Sequence, residues 1–377
     1  MTRLLNLFLL LLSFFLTLLL AEMGLRIFAP QIIDCKINYE WRLDDPVLPY
    51  IPKPNYRGRM KVKNQFDVTL STNTQGFRGI NDVAISRTAG IQRLLFMGDS
   101  FPFGWGVDDE DAYPHQVGVI LENSLGHSVE IVNASVYGFN IVEYGEWFNR
   151  VKKYMPDVFI LGFTLENDFN ITKIKTSVNE NEILVERTNR LGYRLKEFIN
   201  RLHIVTLVRD RFYINFPAIR NFMFAIGINH KRDIFLKKYT KSLRSSLQET
   251  SVILGKMRDE IKKNNSRFIV VLIPLREQVC CSDEINKFSG YDNERPNQAL
   301  KEILNGLSIE HIDLLPAFIE ENKKIKEKFY FDTDPHWTTA GHAVAARTIA
   351  DYLLKRSFAS PGSSFVPIGQ DAGGENG

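Results

Sequence analysis

The sequence predicts an α/β protein with a parallel sheet covered by helices on both faces, preceded by one membrane-length apolar helix. Three observations point there. Five short apolar runs, Leu94–Met97, Val129–Val132, Val158–Phe163, Phe268–Ile273 and Ile309–Leu314, are each bounded by turn residues. Helix-length segments lie between them, at Pro114–Leu125, Val142–Tyr154, Leu247–Lys263 and Gln298–Leu304. Strands buried on both faces read as continuous apolar runs, and strands that alternate with helices wind into a parallel sheet. Ahead of them, Leu4 to Ala21 holds 18 residues without a charge.

That first run is interrupted only by Asn6, Ser13 and Thr17, and it comes close to the roughly 20 apolar residues of a bilayer crossing. It is longer than the ~7–15-residue apolar region of a signal peptide. Leu19-Leu20-Ala21-Glu22 also lacks a small-x-small cleavage pattern, so residues 1–26 read as an uncleaved anchor in preference to a cleaved signal sequence. Arg3 precedes the span and Arg26 and Lys36 follow it, so flanking charge barely orients it. The short N-terminal tail favours a cytoplasmic N-terminus with the body exported, periplasmic or extracellular.

Residues 27–90 form a lead-in, turn-rich through Pro30, Pro46, Pro49, Pro52, Pro54 and the Asn73–Gly76 turn, with one period-2 strand near Phe66–Leu70. The sheet domain is expected over 91–356. Its third and fourth apolar runs stand about a hundred residues apart, far more than one crossover helix requires. Residues 170–235 are therefore read as a helical insertion, rich in aromatic and basic residues such as Phe198, Arg209, Arg211 and Phe212. It is either a small cap with its own core or a surface facing a membrane or partner. The Ser-, Gly- and Pro-rich tail 357–377 is expected to be disordered.

Composition excludes more than it identifies. The 377 residues are 44% hydrophobic and 24% charged, as in a folded globular protein, and a mean hydropathy of −0.15 leaves room for only one or two membrane spans. Lys+Arg 47 against Asp+Glu 44 gives a net charge of +3, without the basic surplus of a nucleic-acid binder. Three cysteines, Cys35, Cys280 and Cys281, are too few for a disulfide framework. Pairing of Cys35 with one of the vicinal pair is the alternative to free thiols.

In an open parallel sheet, reactive groups collect beyond the carboxyl ends of the strands. The first strand ends in Met97-Gly98-Asp99-Ser100, the second in Asn133-Ala134-Ser135-Val136-Tyr137-Gly138 and the third in Leu165-Glu166-Asn167-Asp168. Near the C-terminus lies Asp332-Thr333-Asp334-Pro335-His336-Trp337, just before a helix. A serine hydroxyl needs an adjacent base to act as a nucleophile, and His336 supplies one if its loop folds back over the first strand. A histidine base in turn needs an acid to fix its tautomer. Asp334 is two residues away, with Asp332 as the competitor. The backbone N–H groups of Ser100 and Gly138 and the amide of Asn167 can meet a developing oxyanion.

In these four blocks the chain resembles the SGNH, or GDSL-type, hydrolases, over roughly residues 66–355. Gly-Phe-Arg-Gly at 76–79 is similar to the lead-in of membrane-anchored bacterial members. The resemblance implies a flavodoxin-like three-layer α/β/α fold, Ser100 as nucleophile, His336 as base and Ser100, Gly138 and Asn167 as the oxyanion hole, with Asp99 and Asp168 in support. Two departures stand out. Leu165 occupies the usual glycine position two residues before the asparagine, and Thr333 stands where many members carry the acid. The Asp334-x-His336-Trp337 form is similar to the branch of the alginate O-acetylation proteins, which favours Asp334 as the acid. The chain has no G-x-S-x-G elbow, no dinucleotide fingerprint after Gly104 and Gly106, no Walker A and no H-E-x-x-H.

Several residues invite simpler readings. His342 falls inside the last helix and suits packing or capping. Asp108–Asp111 suit the dipole of the helix that begins near Pro114 better than a metal. Trp105 and Trp337 suit a sugar cleft and plain packing equally. The expected activity is an exported serine esterase that removes acyl groups, acetyl by resemblance, from envelope or exported polysaccharide, with no cofactor or metal. Its expected partners are an acylated glycan, the membrane and a membrane acyltransferase or envelope assembly. Two alternatives stay open: an O-acetyltransferase with the same residues, and a non-catalytic glycan-binding or scaffold subunit.

Overall fold

The structure is a computed structural model that describes residues 2–29, 40–62, 65–165, 168–169, 176–178, 184–186, 202–205, 207, 231–280, 282–286, 290–324, 327–332 and 334–357. The chain divides into two compact units. The first holds Met1–Tyr39, Ile174–Asp233 and Asp332–Asp334, and the second holds Glu40–Lys173, Ile234–Phe331 and Pro335–Gly377.

In the first unit, helix α1 spans Thr2–Phe28 with most of its leucines and its phenylalanines exposed. Among the described residues it is the one helix long and apolar enough to cross a membrane. Glu22, near its end, is buried and pairs with Arg26 at 2.8 Å. Its carboxylate also accepts the N–H groups of His203 and Ile204, both at 3.0 Å.

The second unit begins with two small antiparallel pairs, β1 (Arg42–Leu43) with β2 (Ile51–Pro52) and β3 (Arg57–Val62) with β4 (Phe66–Ser71). The lead-in is thus more regular than its proline content suggests. β3 escapes the sequence pattern because its arginines and lysine face water, while Met60 and Val62 are buried. The sheet follows: β5 (Gln92–Gly98), α2 (Ser100–Phe103), α3 (Tyr113–Leu125), β6 (Val129–Asn133), α4 (Ile141–Val151) and β7 (Val158–Thr164).

Within residues 170–235 two short strands, β8 (Thr176–Val178) and β9 (Leu184–Glu186), pair antiparallel, a pair absent from the sequence expectation. Most of the expected helical insertion, including Phe198, Arg209, Arg211 and Phe212, lies outside the described residues. The same is true of Cys35, Cys281 and the tail 358–377. The chain continues with α5 (Lys241–Lys263), β10 (Arg267–Ile273), α6 (Arg276–Cys280), α7 (Ser282–Asn286), α8 (Arg295–Gly306), β11 (Glu310–Asp313), α9 (Leu315–Lys324) and α10 (Thr339–Ser357). α5 starts six residues before its apolar pattern does, because the Thr240 hydroxyl accepts the Leu243 N–H and caps its exposed first turn.

The five central strands run in the order β11-β10-β7-β5-β6, all parallel. That is the doubly wound α/β order, in which the switch point lies between β5 and β7. On one face Leu94, Phe96, Ile160, Ile269 and Val271 pack under α3, α9 and α10. On the other, Phe159 of β7 meets Phe148 of α4 with rings 5.3 Å apart, and α5 buries Leu254, Met257 and Ile261.

Candidate active site

The site assembles at the carboxyl ends of β5, β6 and β7, where the fold places its switch point. Gly98, the last residue of β5, has φ +153°, and a Cβ there would lie 2.5 Å from both the Gly162 carbonyl and Pro102 Cγ. Only glycine lets the chain turn this tightly off the strand. Asp99 follows as the N-cap of α2 and accepts the Phe101 N–H at 3.1 Å. Its carboxylate also accepts the Thr164 hydroxyl at 2.9 Å, which ties the turn to the end of β7.

Ser100 is the first residue of α2 and is only 6% exposed. Its Oγ lies 2.7 Å from Nε2 of His336, 236 positions along the chain. The two halves of the expected nucleophile–base pair are therefore within hydrogen-bond distance, with the hydroxyl as donor when Nε2 is unprotonated. His336 reaches that place through a clasp of backbone bonds. Phe331 N–H donates to the His336 carbonyl at 3.1 Å and Thr338 N–H to the Phe329 carbonyl at 3.0 Å.

Trp337 anchors the loop from below. It is fully buried, stacked on Phe318 at 4.9 Å and edge-on to Phe101 at 4.7 Å. Trp105 is 1% exposed, lies 6.2 Å from the His336 ring and packs on Phe66 and Tyr137. Both tryptophans are packing groups, and the cleft reading of them fails on burial. The aromatic ring that is half-exposed beside His336 is Tyr137, with centroids 6.0 Å apart.

The second block follows from how β6 continues past its strand. Ala134 N–H donates to the Phe96 carbonyl at 2.8 Å and Val136 N–H to the Gly98 carbonyl at 2.9 Å. The loop thereby runs along the end of β5 and delivers Tyr137-Gly138 beside the His336 ring. Gly138 has φ +78°.

In the third block, the fully buried Asp168 accepts the Thr164 N–H at 2.7 Å and the Tyr144 hydroxyl at 2.9 Å. Its own N–H returns to the Thr164 carbonyl at 3.0 Å, which closes the turn. Burial, with Asp168 close by, holds the Tyr144 phenol well above its usual range, so it remains a donor. Leu165 is buried where a glycine was expected. Asn167 itself lies outside the described residues, as does Thr333. Asp332 and Asp334 belong to the first unit while Ser100 and His336 belong to the second, so the pairing of Asp334 with His336 rests on their two-residue spacing.

His342 caps and packs: its Nδ1 accepts the Tyr113 N–H at the start of α3, at 3.2 Å. Complete burial pushes its pKa down to about 3, and the nearby Arg78 guanidinium adds to that effect. Two residues of the acidic run 108–111 have side-chain partners away from α3. Asp108 accepts the Thr69 N–H at 2.7 Å, and Asp109 pairs with Arg78 at 2.8 Å. Among the described residues no group of three or more His, Cys, Asp or Glu side chains is arranged to hold a metal.

Arg78 is the positioning residue the sequence reading left without a role. Its guanidinium, buried in the unit, donates to the carbonyls of Phe103, Gly104 and Val107 at 2.8, 2.6 and 2.7 Å. It thus holds the chain that leaves α2. Asn133 works from the other side, donating to the Pro102 carbonyl at 2.8 Å. The signal for Arg78 was the Gly-Phe-Arg-Gly segment itself, a charged residue in a turn-rich stretch where nothing else explained it.

Residues 234–366 match the model of the family described as SGNH hydrolase-like domain, acetyltransferase AlgX. No curated protein matches the chain. Among solved structures, the acetylxylan esterase Axe2 from Geobacillus stearothermophilus is 16% identical over 69% of this chain and 93% of its own, with a TM-score of 0.39. LAE5, described as an alpha/beta hydrolase enzyme from the metagenome of Lake Arreo, Spain, is 12% identical over 71% and 97%, with a TM-score of 0.42. Identities and scores this low say nothing of substrate. Residues 234–366 are thus similar to the SGNH hydrolase-like domain of the AlgX type, and the parallel five-stranded sheet has the order of an SGNH-like α/β fold.

Proposed function

We propose that this chain is a membrane-anchored, exported serine esterase that removes acetyl groups from envelope or exported polysaccharide through an acyl-enzyme on Ser100. The observation that carries the reading is the 2.7 Å approach of Ser100 Oγ to His336 Nε2 at the carboxyl edge of the sheet. His336 takes the hydroxyl proton as Oγ attacks the ester carbonyl. Asp334, two residues upstream, holds the tautomer and stabilises the imidazolium. The tetrahedral oxyanion is met by the N–H groups of Ser100 and Gly138 and by the Asn167 amide. Collapse expels the sugar oxygen, which takes the proton back from His336, and water then cleaves the acyl-enzyme by the same route in reverse. Helix α1 anchors the chain, and the body works outside the cytoplasm on a glycan made or modified by a membrane acyltransferase or envelope assembly.

One observation favours a second reading: the matching family is described as an acetyltransferase. In that reaction a sugar hydroxyl, not water, attacks the acyl-enzyme, and the same residues serve. Acetyl release and acetyl transfer to added oligosaccharide, measured together with an activated acetyl ester as donor, separate the two. Release in excess supports the esterase, and transfer in excess replaces it with the transferase.

A further inference from the structure

The lead-in carries a tyrosine whose placement concerns the oxyanion hole. The Tyr50 hydroxyl donates to the main-chain carbonyl of Tyr137. That carbonyl and the N–H of Gly138 belong to the same peptide unit. In a trans peptide the two groups point in opposite directions in one plane, so a donor fixed on the carbonyl also fixes where the N–H points. It also polarises the unit, which strengthens the N–H as a donor.

Tyr50 is rigidly placed for this task. Its ring is buried between Trp41 at 6.2 Å and Phe139 at 5.6 Å. The Arg42 guanidinium lies over it, 3.8 Å from the ring centroid, and 5.2 Å from the Tyr137 ring. A cation against the ring face draws electron density from the phenol and makes its O–H a better donor. The fit around Gly138 is tight: a Cβ there would lie 2.7 Å from the Tyr50 hydroxyl. The residue at 138 must be glycine both for its φ of +78° and to admit that hydroxyl.

We infer that Tyr50, backed by Arg42, is a positioning residue that orients and polarises the Tyr137–Gly138 peptide as an oxyanion donor. This inference rests on the reading of Ser100 as nucleophile and Gly138 N–H as oxyanion donor given under Proposed function. Reaction of the full chain with a fluorophosphonate tests both, because the phosphoryl oxygen of the transition state needs the same donors as the ester oxyanion.

Labelling of the unmutated protein, with none in Ser100→Ala, supports the nucleophile reading. No labelling of the unmutated protein overturns that reading and the inference with it. Given labelling, Tyr50→Phe keeps the ring and loses only the hydroxyl. Its second-order labelling rate is expected to fall about tenfold, less than the ~10²–10³ of a deleted oxyanion donor, with the pH midpoint of labelling unchanged. A rate within twofold of the unmutated protein overturns the inference while the nucleophile reading stands. So does a fall accompanied by a shifted pH midpoint, which would put the loss at His336. Should Tyr50→Phe fail to fold, Arg42→Gln decides: a fall of about threefold is expected, and an unchanged rate overturns the inference.

Discussion

The central sheet and the lead-in that starts at Glu40 belong to one compact unit and are held in opposite ways. β5, β7 and β10 are buried almost end to end and owe their place to apolar burial spread over many side chains. The lead-in is held by a few polar ties of long reach. Arg78 clamps the exit of α2, and Asp45 takes the Arg150 fork at 2.6 and 2.7 Å. Tyr50 reaches the Tyr137 carbonyl. Burial spread over a strand tolerates small losses anywhere along it, whereas a single buried charge bonded to three carbonyls has no substitute.

The sharpest way to break this contrast is at Arg78. Arg78→Leu leaves three carbonyls and Asp109 without their donor and is expected to cost about 3–5 kcal/mol, the range for removing one partner of a buried charge pair. Arg78→Lys should recover less than half of that, since one ammonium cannot reproduce the fork. Ile269→Val, in the fully buried stretch of β10, should cost only about 1 kcal/mol. Urea unfolding of the three variants checks the order, and an Arg78→Leu protein within 1 kcal/mol of the unmutated one would remove the distinction.

The same contrast explains how much was legible in the sequence. The strands β5, β7 and β10 announce themselves as unbroken apolar runs, and Gly98-Asp99-Ser100 is readable because strand ends are where chemistry gathers. The roles of Arg78 and Tyr50 are harder to read, because hydrogen bonds to backbone carbonyls 25–29 and 87 residues away impose no local period. β3 was missed for a related reason: its exposed Arg57, Arg59 and Lys61 hide a two-residue alternation. The partners of Asp108 and Asp109 were not legible because Thr69 and Arg78 are distant in sequence, while the start of α3 is near. Trp105 and Trp337 could be told apart from cleft residues only by their burial.

A second prediction concerns acid. His342 has its pKa lowered from 6.5 to about 3 by burial, so the unfolded chain binds a proton there that the folded chain refuses. Stability is fully present above pH 6.5 and falls as the pH drops toward 3, at roughly 1.4 kcal/mol per unit, or about 3 kcal/mol by pH 4. His342→Asn keeps an acceptor for the Tyr113 N–H and carries no titrating group. Its thermal unfolding should show a shallower decline between pH 6.5 and 4, and an unchanged slope would assign the acid sensitivity elsewhere.

A smaller effect than that at Arg78 or His342 is expected at the outer tie of the lead-in. The bidentate Arg150 bond holds the Asp45 carboxyl well below its usual range, assisted by the Leu48 and Val47 N–H groups. Asp45→Asn should cost about 1–2 kcal/mol at neutral pH. The contribution is present above the ordinary carboxylate pKa and is lost as the pH falls through the lowered folded value. The two proteins should therefore converge in strong acid, and a constant difference at every pH would contradict the ion-pair account.

The central claim is that Ser100 is a nucleophile activated by His336. Intact-mass measurement of the full chain after fluorophosphonate treatment tests it most directly, with Ser100→Ala and His336→Ala alongside. The account predicts a single phosphonyl adduct mapped to Ser100 in the unmutated protein, none in Ser100→Ala and labelling slowed by at least about a hundredfold in His336→Ala. An unmodified Ser100, or an adduct that forms equally fast without His336, would contradict it.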